Sequence, residues 1–398
     1  MSLKIRLKSG ENRRYIALIF LMSIFSLLRI YRNSIQYSSD QQGGIWNIMA
    51  ALFVILGIVA LFQNRTVSRG VFSTLLLYST LIWVHEIIHF TGISTNNLYY
   101  LITAPYFVFV MYVFYHNYVE DKESVTWIIR FSFIIIFGML IYSFLRLRRG
   151  TLDDLLLADV YYLLCLLPLL MMYEKNGLVK IAATIGTGLL IVISEKRAAL
   201  IAYGLFVFIQ YVIADKSIEG HKKLRRSIAL IVVIIGTYFG YRYLLSTIGS
   251  RLLFRMSMLA ETGGSGRARM YLAIWNAFRE SNIIEKLFGH GRGTIALIPG
   301  VNHSAAHSDF LHILYVYGVI PFILFCLFYL QLFLEWRKMK KYAYPNASLY
   351  LGGFIICLML SLFSTFCVSF GYVTCGAAFL GIILSDWNKY KNSREIIK

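Results

Sequence analysis

Charge is scarce in this sequence. Only 15% of its 398 residues are Asp, Glu, Lys or Arg, against about a quarter in soluble domains. Acidic residues are the scarcer kind, 20 against 39 Lys and Arg, so the formal charge is +19. The five cysteines (Cys165, Cys326, Cys357, Cys367, Cys375) all fall in apolar runs, and none has CxxC or Cys/His zinc spacing. That excludes a disulfide framework and an iron–sulfur site and leaves buried free thiols as the expectation. No Walker loop and no GxGxxG is present, so nothing points to ATP or a nicotinamide, and no cofactor is expected. A strong internal repeat of the kind seen in many secondary transporters is also lacking. With 58% hydrophobic residues and a mean hydropathy of +0.64, disorder and collagen are excluded too.

What is present is long apolar blocks. A lipid-spanning helix needs roughly 20 mainly apolar residues. Twelve segments qualify: 15–30, 45–62, 71–90, 98–118, 125–145, 155–173, 178–194, 198–214, 227–245, 308–334, 349–368 and 371–386. The first follows Lys4, Arg6, Lys8, Arg13 and Arg14, and no small-residue cleavage site follows Ile30, so it reads as a retained span. The expected fold is therefore all-α and polytopic, with about twelve transmembrane helices. Spans one to nine occupy 1–245, a large loop 246–306, and spans ten to twelve plus a tail 307–398. With a cytoplasmic N-terminus, 24 Lys and Arg face inward and 15 outward, eight of the latter in the long 242–306 segment. Long segments follow the positive-inside rule poorly, and the short loops support this orientation. Both termini are then cytoplasmic and the large loop lies outside a bacterial inner membrane.

The outward cations are chemically selective: thirteen of the fifteen are Arg, against ten of the 24 inward ones. Arg offers a planar fork that fits phosphate and stays charged when partly desolvated. An outward anionic ligand, phosphate or pyrophosphate, fits this bias. The other reading is that Arg tolerates the lipid interface better than Lys. Neither needs nucleic acid to explain the basic pI.

The large loop is not disordered by composition. From Arg267 it has helical periodicity, with Met270, Tyr271, Ile274, Trp275 and Phe278 on one face. It reads as an amphipathic helix at the outer interface, or as a cap packed on the bundle. Gly289, Gly291 and Gly293 end it in a tight turn. His303, His307 and Asp309 then sit where the loop meets the tenth span. His312 is expected one turn deeper, on the same helix face as His307. A histidine there can serve as a base at neutral pH. A single histidine at a membrane end is more often a packing or hydrogen-bonding residue, and the cluster weakens that reading.

These residues resemble the O-antigen ligase and Wzy-type polysaccharide polymerase superfamily. Its ligases carry His, then Asn/Ser/Gln, nine residues, Gly, two residues, and Gly/Thr/Tyr. His307, Ser308 and Gly318 match, while Pro321 departs at the last position. Gly266-Arg267 and Phe288-Gly289-His290-Gly291 resemble the family's loop-helix start and end. The resemblance implies a GT-C-like, metal-independent, inverting glycosyltransferase. Its donor would be a glycan on undecaprenyl pyrophosphate, in membrane lipid, with a flippase and a chain-length regulator as pathway partners. It implies His307 as base or acceptor-hydroxyl orienter, and Arg197 as an outer-loop Arg on pyrophosphate, with Arg267 and Arg292 adding charge. Asp309, His303 and Glu195 would support them. Pro321 favours polymerisation onto another lipid-linked repeat over ligase-type transfer to a different acceptor.

One motif competes. His85-Glu86-Ile87-Ile88-His89 is an HExxH sequence, which in zinc proteases binds metal and activates water. No persuasive third ligand accompanies it, so no metal is expected. Intramembrane ionisable groups usually face the protein interior or a cavity, and Glu86 would then line an acceptor cavity. A lipid-linked sugar flippase is the remaining alternative, but it would need Arg on both sides of a gate. Tyr99, Tyr100, Tyr106, Tyr112 and Tyr115 would offer rings to sugars, although interfacial belts and core packing explain most of them.

Overall fold

The computed structural model describes residues 10–35, 44–63, 70–89, 95–118, 122–148, 159–194, 196–213, 267–301, 305–367 and 371–396, plus helical positions 231, 234, 235 and 238. These residues form fourteen bounded α-helices and, among themselves, no strand. The first eight are α1 (Gly10–Ile35), α2 (Gly44–Gln63), α3 (Val71–Ile88), α4 (Thr95–His116), α5 (Lys122–Arg148), α6 (Val160–Tyr173), α7 (Gly177–Ile193) and α8 (Arg197–Phe208). A π turn, Ile209–Ile213, extends α8. In the loop region lie α9 (Arg267–Glu280), α10 (Ile283–Phe288) and a 3-10 turn (Thr294–Leu297). The chain closes with α11 (Asp309–Val316), α12 (Val319–Lys341), α13 (Ala347–Phe363) and α14 (Tyr372–Ile396).

Four stretches are long and apolar enough to cross a membrane: Arg13–Tyr31, Val71–Ile88, Glu123–Leu145 and Val319–Lys341. Six shorter apolar helices accompany them. Most expected spans coincide with a helix. The expected span 227–245 lies outside the described residues except at four helical positions.

Polar contacts set the register of the bundle. Helices α4 and α14 run parallel: the Tyr106 and Thr374 hydroxyls are 2.6 Å apart, and twelve residues further along each, Tyr118, just past the end of α4, donates to Asp386 at 2.9 Å. Helix α12 runs antiparallel to α3. Gln331 donates to Thr74 at 2.8 Å, Tyr78 packs on Phe325, and Tyr317, just before α12, donates to Glu86 at 2.8 Å. Glu86 and Tyr317 mark the end of the bundle that carries 267–301, the loop end. At the opposite end Asp386 also accepts from Tyr344 at 2.5 Å, and Arg130 pairs with Glu174.

The expected span 308–334 is not one helix. Tyr317 and Gly318 interrupt it, with Gly318 at φ 91°. In a straight helix, Phe310 would lie about 18 Å from Phe322 and about 28 Å from Tyr329. Instead its ring centroid is 6.4 Å from Phe322, 5.0 Å from Phe325 and 5.7 Å from Tyr329. Helix α11 therefore folds back along α12. It starts level with Tyr78 and Phe325, half-way along α3, and rises about 12 Å to the loop end. Apolar composition alone cannot reveal such a turn, because both arms are equally apolar.

A close backbone crossing makes the turn possible. A Cβ on Gly318 would lie 2.3 Å from the Leu287 carbonyl oxygen, and one on Gly289 (φ 82°) 2.1 Å from that of Val316. Left-handed strain and overpacking together make Gly318→Ala destabilising by roughly 2–4 kcal/mol. The expected result is a lower thermal midpoint in detergent. Gly204→Ala, where a Cβ meets nothing, is the control and should leave the midpoint unchanged or higher. A second outcome concerns pH. The Arg130 guanidinium holds the Glu174 carboxyl below the usual glutamate range. The ion pair's stabilisation is thus present above about pH 4.3 and is lost as pH falls through the lower folded value. Glu174→Gln should flatten that acid limb of the melting curve.

Candidate functional site

The broken tenth segment brings Asp309 to the middle of the bundle, where the sequence reading had it at the membrane surface. Asp309 is fully buried at the first residue of α11. Its Oδ2 accepts the backbone N–H of Phe366 at 3.0 Å and of Cys367 at 2.7 Å. Those amides lie just beyond the end of α13, where the chain turns inward. Phe366 packs on Phe107 of α4, and the Cys367 thiol lies 3.5 Å from the Ser361 hydroxyl and 3.7 Å from that of Tyr329. Non-helical backbone at such depth must find partners within the protein. One carboxylate supplies an acceptor to two successive amides.

His307 precedes this point and is not part of the helix, since α11 begins at Asp309. Its φ of 49° is left-handed, which is uncommon outside glycine and costs of order 1–2 kcal/mol. Its carbonyl accepts from the Tyr271 hydroxyl of α9 at 3.0 Å. Arg267, at the start of α9, donates to the Phe363 carbonyl at 2.9 Å, at the C-terminal end of α13. A cation there also matches the negative end of the helix dipole. Arg197 reaches the same level. Helices α8 and α13 are antiparallel, with Phe206 against Gly352 and Gln210 donating to the Ser348 carbonyl at 2.8 Å. Nine residues back along α8, about 13 Å, puts Arg197 level with Ser361–Phe363.

Helix α9 does not bury the whole expected face. Met270 and Ile274 are buried, Tyr271 and Phe278 partly so, and Trp275 is 44% exposed. The helix is therefore both a cap on the bundle and a carrier of exposed apolar surface.

Arg292 belongs to a second cluster. Its Nη2 lies 3.1 Å from Oε2 of the fully buried Glu86, and its guanidinium stacks 4.4 Å from the Tyr100 ring centroid. Tyr317 donates to the other oxygen of Glu86 at 2.8 Å. The HExxH residues are arranged around this pair. Their two histidine rings stack on each other with centroids 4.2 Å apart, and Glu86 is turned to Arg292 and Tyr317. Among the described residues no group of three His, Cys, Asp or Glu converges as metal ligands would. His312 also lies here, its ring 6.0 Å from that of Tyr317. It is nearer the loop end than Asp309, the reverse of the sequence expectation, because α11 runs outward.

The segment 289–292 links the two clusters. His290 N–H donates to the Tyr315 carbonyl and Gly291 N–H to that of Val316, both at 3.1 Å. These are the last carbonyls of α11, which no helical amide serves. The His290 ring stacks on Tyr315 at 4.1 Å, and its Nε2 lies 2.7 Å from the Ser281 hydroxyl.

Of the residues singled out in the sequence, Arg267 reaches the end of α13, His307 is held by Tyr271 of the same helix, Asp309 binds the amides just beyond α13, and Arg197 stands level with the end of α13. Glu86 and Arg292 meet as a pair one helix length of α11 away. His303 and Glu195 lie outside the described residues. The Tyr271 hydroxyl contact, Tyr317 and the 364–367 turn carry no motif and were not anticipated; a glycine within an apolar run was the one sequence feature at the break. Tyr106 and Tyr112 are core residues, and Tyr100 lies under Arg292. No protein-family model matches the chain, and no curated protein resembles it significantly.

Replacing Asp309 by Ala strands two buried amides, at about 1–3 kcal/mol each. The expected result is release of the 364–367 turn, read as faster maleimide labelling of Cys367 in a Cys326→Ser background. Unchanged labelling would show that the turn stands without the carboxylate.

Proposed function

We propose that this protein is a glycosyltransferase of the outer face of a bacterial cytoplasmic membrane. In this reading it is a metal-independent, inverting polysaccharide polymerase. It moves a glycan from undecaprenyl pyrophosphate to the non-reducing end of another lipid-linked repeat unit. The architecture is GT-C-like with twelve spans, cytoplasmic termini and the loop end outside. The distribution of Lys and Arg over the short loops supports this orientation.

The observation that carries the reading is Arg267 bound to the end of α13, while Tyr271 of the same helix holds the His307 backbone; Arg197 stands at the same level of the bundle. Expelling a lipid pyrophosphate needs fixed positive charge aimed at the leaving group. Arg267 and Arg197 supply it at one level of the bundle. The acceptor hydroxyl attacks the anomeric carbon, the bond to the pyrophosphate oxygen breaks, and His307 takes the hydroxyl proton. The left-handed backbone at His307 is the kind of local strain that gathers at functional sites. Arg292 already neutralises Glu86, so we assign pyrophosphate binding to Arg197 and Arg267 first.

Purified protein supplied with lipid-linked repeat units should make a ladder of longer glycans. His307→Ala should slow it by about 10²–10⁴-fold. Arg197→Ala and Arg267→Ala should each slow it by about 10²–10³-fold. Near-normal ladders from these variants at normal expression would remove them from the site. Movement of the lipid-linked units across vesicles without elongation would instead identify a flippase.

A further inference from the structure

The HExxH glutamate and the loop arginine pair with each other, and their contacts among the described residues are to Tyr317 and Tyr100 and not to the residues assigned to the chemistry. What they do touch is the support of α11. Glu86 sits at the end of α3, a long helix packed antiparallel on α12. Arg292 ends the segment 289–292, and its ion pair with Glu86 ties that segment to α3. The same segment hydrogen-bonds the last carbonyls of α11 through His290 and Gly291, and Gly289 crosses Gly318 in backbone contact. Tyr317, in the turn between α11 and α12, completes the circuit by donating to Glu86. Helix α11 has eight residues, about 12 Å of rigid rod. Its far end is Asp309, preceded by His307.

We propose that Glu86, Arg292 and Tyr317 are positioning residues: they clamp segment 289–292 to α3, and through it hold the upper end of α11 so that His307 and Asp309 stand at a fixed place at the lower end. This role rests on the polymerase reading for its chemical consequence, but not for the mechanical link. A rod held at one end turns small shifts there into displacement at the other. A misplacement of about 1 Å at a reacting group costs up to about 10²-fold in rate. Burial of Glu86 and the 14% exposure of the Arg292 side chain make the tie stiff, because a buried charge left without its partner is strongly disfavoured. The arrangement also explains the HExxH spacing without a metal: His89 packs beside Gly291, 3.3 Å from where a Cβ would stand, and His85 beside Tyr317.

The test compares Glu86→Gln and Tyr317→Phe with the wild type in detergent by hydrogen exchange of the backbone amides. Tyr317→Phe deletes one hydroxyl and serves if Glu86→Gln fails to fold. The expected result is exchange about tenfold faster in 289–292 and in 309–318 together, with 122–148 unchanged. Faster exchange in 289–292 alone overturns the mechanical link. In parallel, elongation of lipid-linked repeat units should show kcat lowered about 10-fold or more with KM unchanged. A raised KM with unchanged kcat would mean that Arg292 and its partner act on donor binding, and overturns the positioning role. If the wild type elongates no glycan, the polymerase reading fails by itself, and the exchange data still decide the clamp.

Discussion

Two backbone amides held by one buried carboxylate organise this fold. Where α13 ends, the chain does not leave the bundle but turns back into it, and Phe366 and Cys367 present N–H groups to an apolar interior. Each unsatisfied group there would cost several kcal/mol. Asp309 meets both with one oxygen, and to reach them it has to sit at mid-depth. Helix α11 must then start in the middle of the bundle and rise outward. Its fold-back along α12, the turn at Gly318 and the contact of 289–292 with the α11 carbonyls all follow from that starting point.

The candidate site residues are likewise distributed along α11. At its lower end are His307 and Asp309; at its upper end are the Glu86–Arg292 pair, Tyr317 and His312. The large loop supplies both ends. Helix α9 reaches the lower cluster through Tyr271 and the end of α13 through Arg267, while 289–292 reaches the upper one. In this arrangement the loop is a brace with two points of attachment, and motion of the loop would be felt at His307 by either route.

Much of this was legible in the sequence as element positions. Apolar block lengths located α1–α8 and α13 to within several residues, because each block is bounded by charged or polar turns. The boundary between α11 and α12 was not legible. Leu311 to Leu334 reads as a single apolar run, and a glycine inside such a run is compatible with an unbroken helix. The information that breaks it is three-dimensional: Gly318 is required because Leu287 and Gly289, some thirty residues earlier, cross it. The site was legible by residue type and less so by place. Arg267 was read as the start of the loop helix and His307 as part of the loop–span junction, and the structure ties both to α9; Asp309 was expected at that same junction and lies in the interior. Tyr271 and Tyr317 act through single hydroxyl groups, and no spacing rule announces such a contact.

The Arg bias among the positions expected to face outward has an architectural source as well. Arg292 lies between a buried carboxylate and an aromatic ring, and Arg267 binds a carbonyl at a helix end. Both are uses that a delocalised, weakly hydrated guanidinium serves better than an ammonium. Part of the bias therefore arises from the architecture of the loop rather than from a ligand. The two roles are compatible at Arg267, whose five donors exceed the one it gives to Phe363. They compete at Arg292, because an anion drawn to it would have to share its charge with Glu86 in a poorly solvated place. Under the proposed function, a ligand carrying two phosphates would be met first at the end of α13, where Arg267 keeps donors to spare. Under that proposal Arg197 and Arg267 would face the substrate, while Arg292, paired with the buried Glu86, would hold the frame around them.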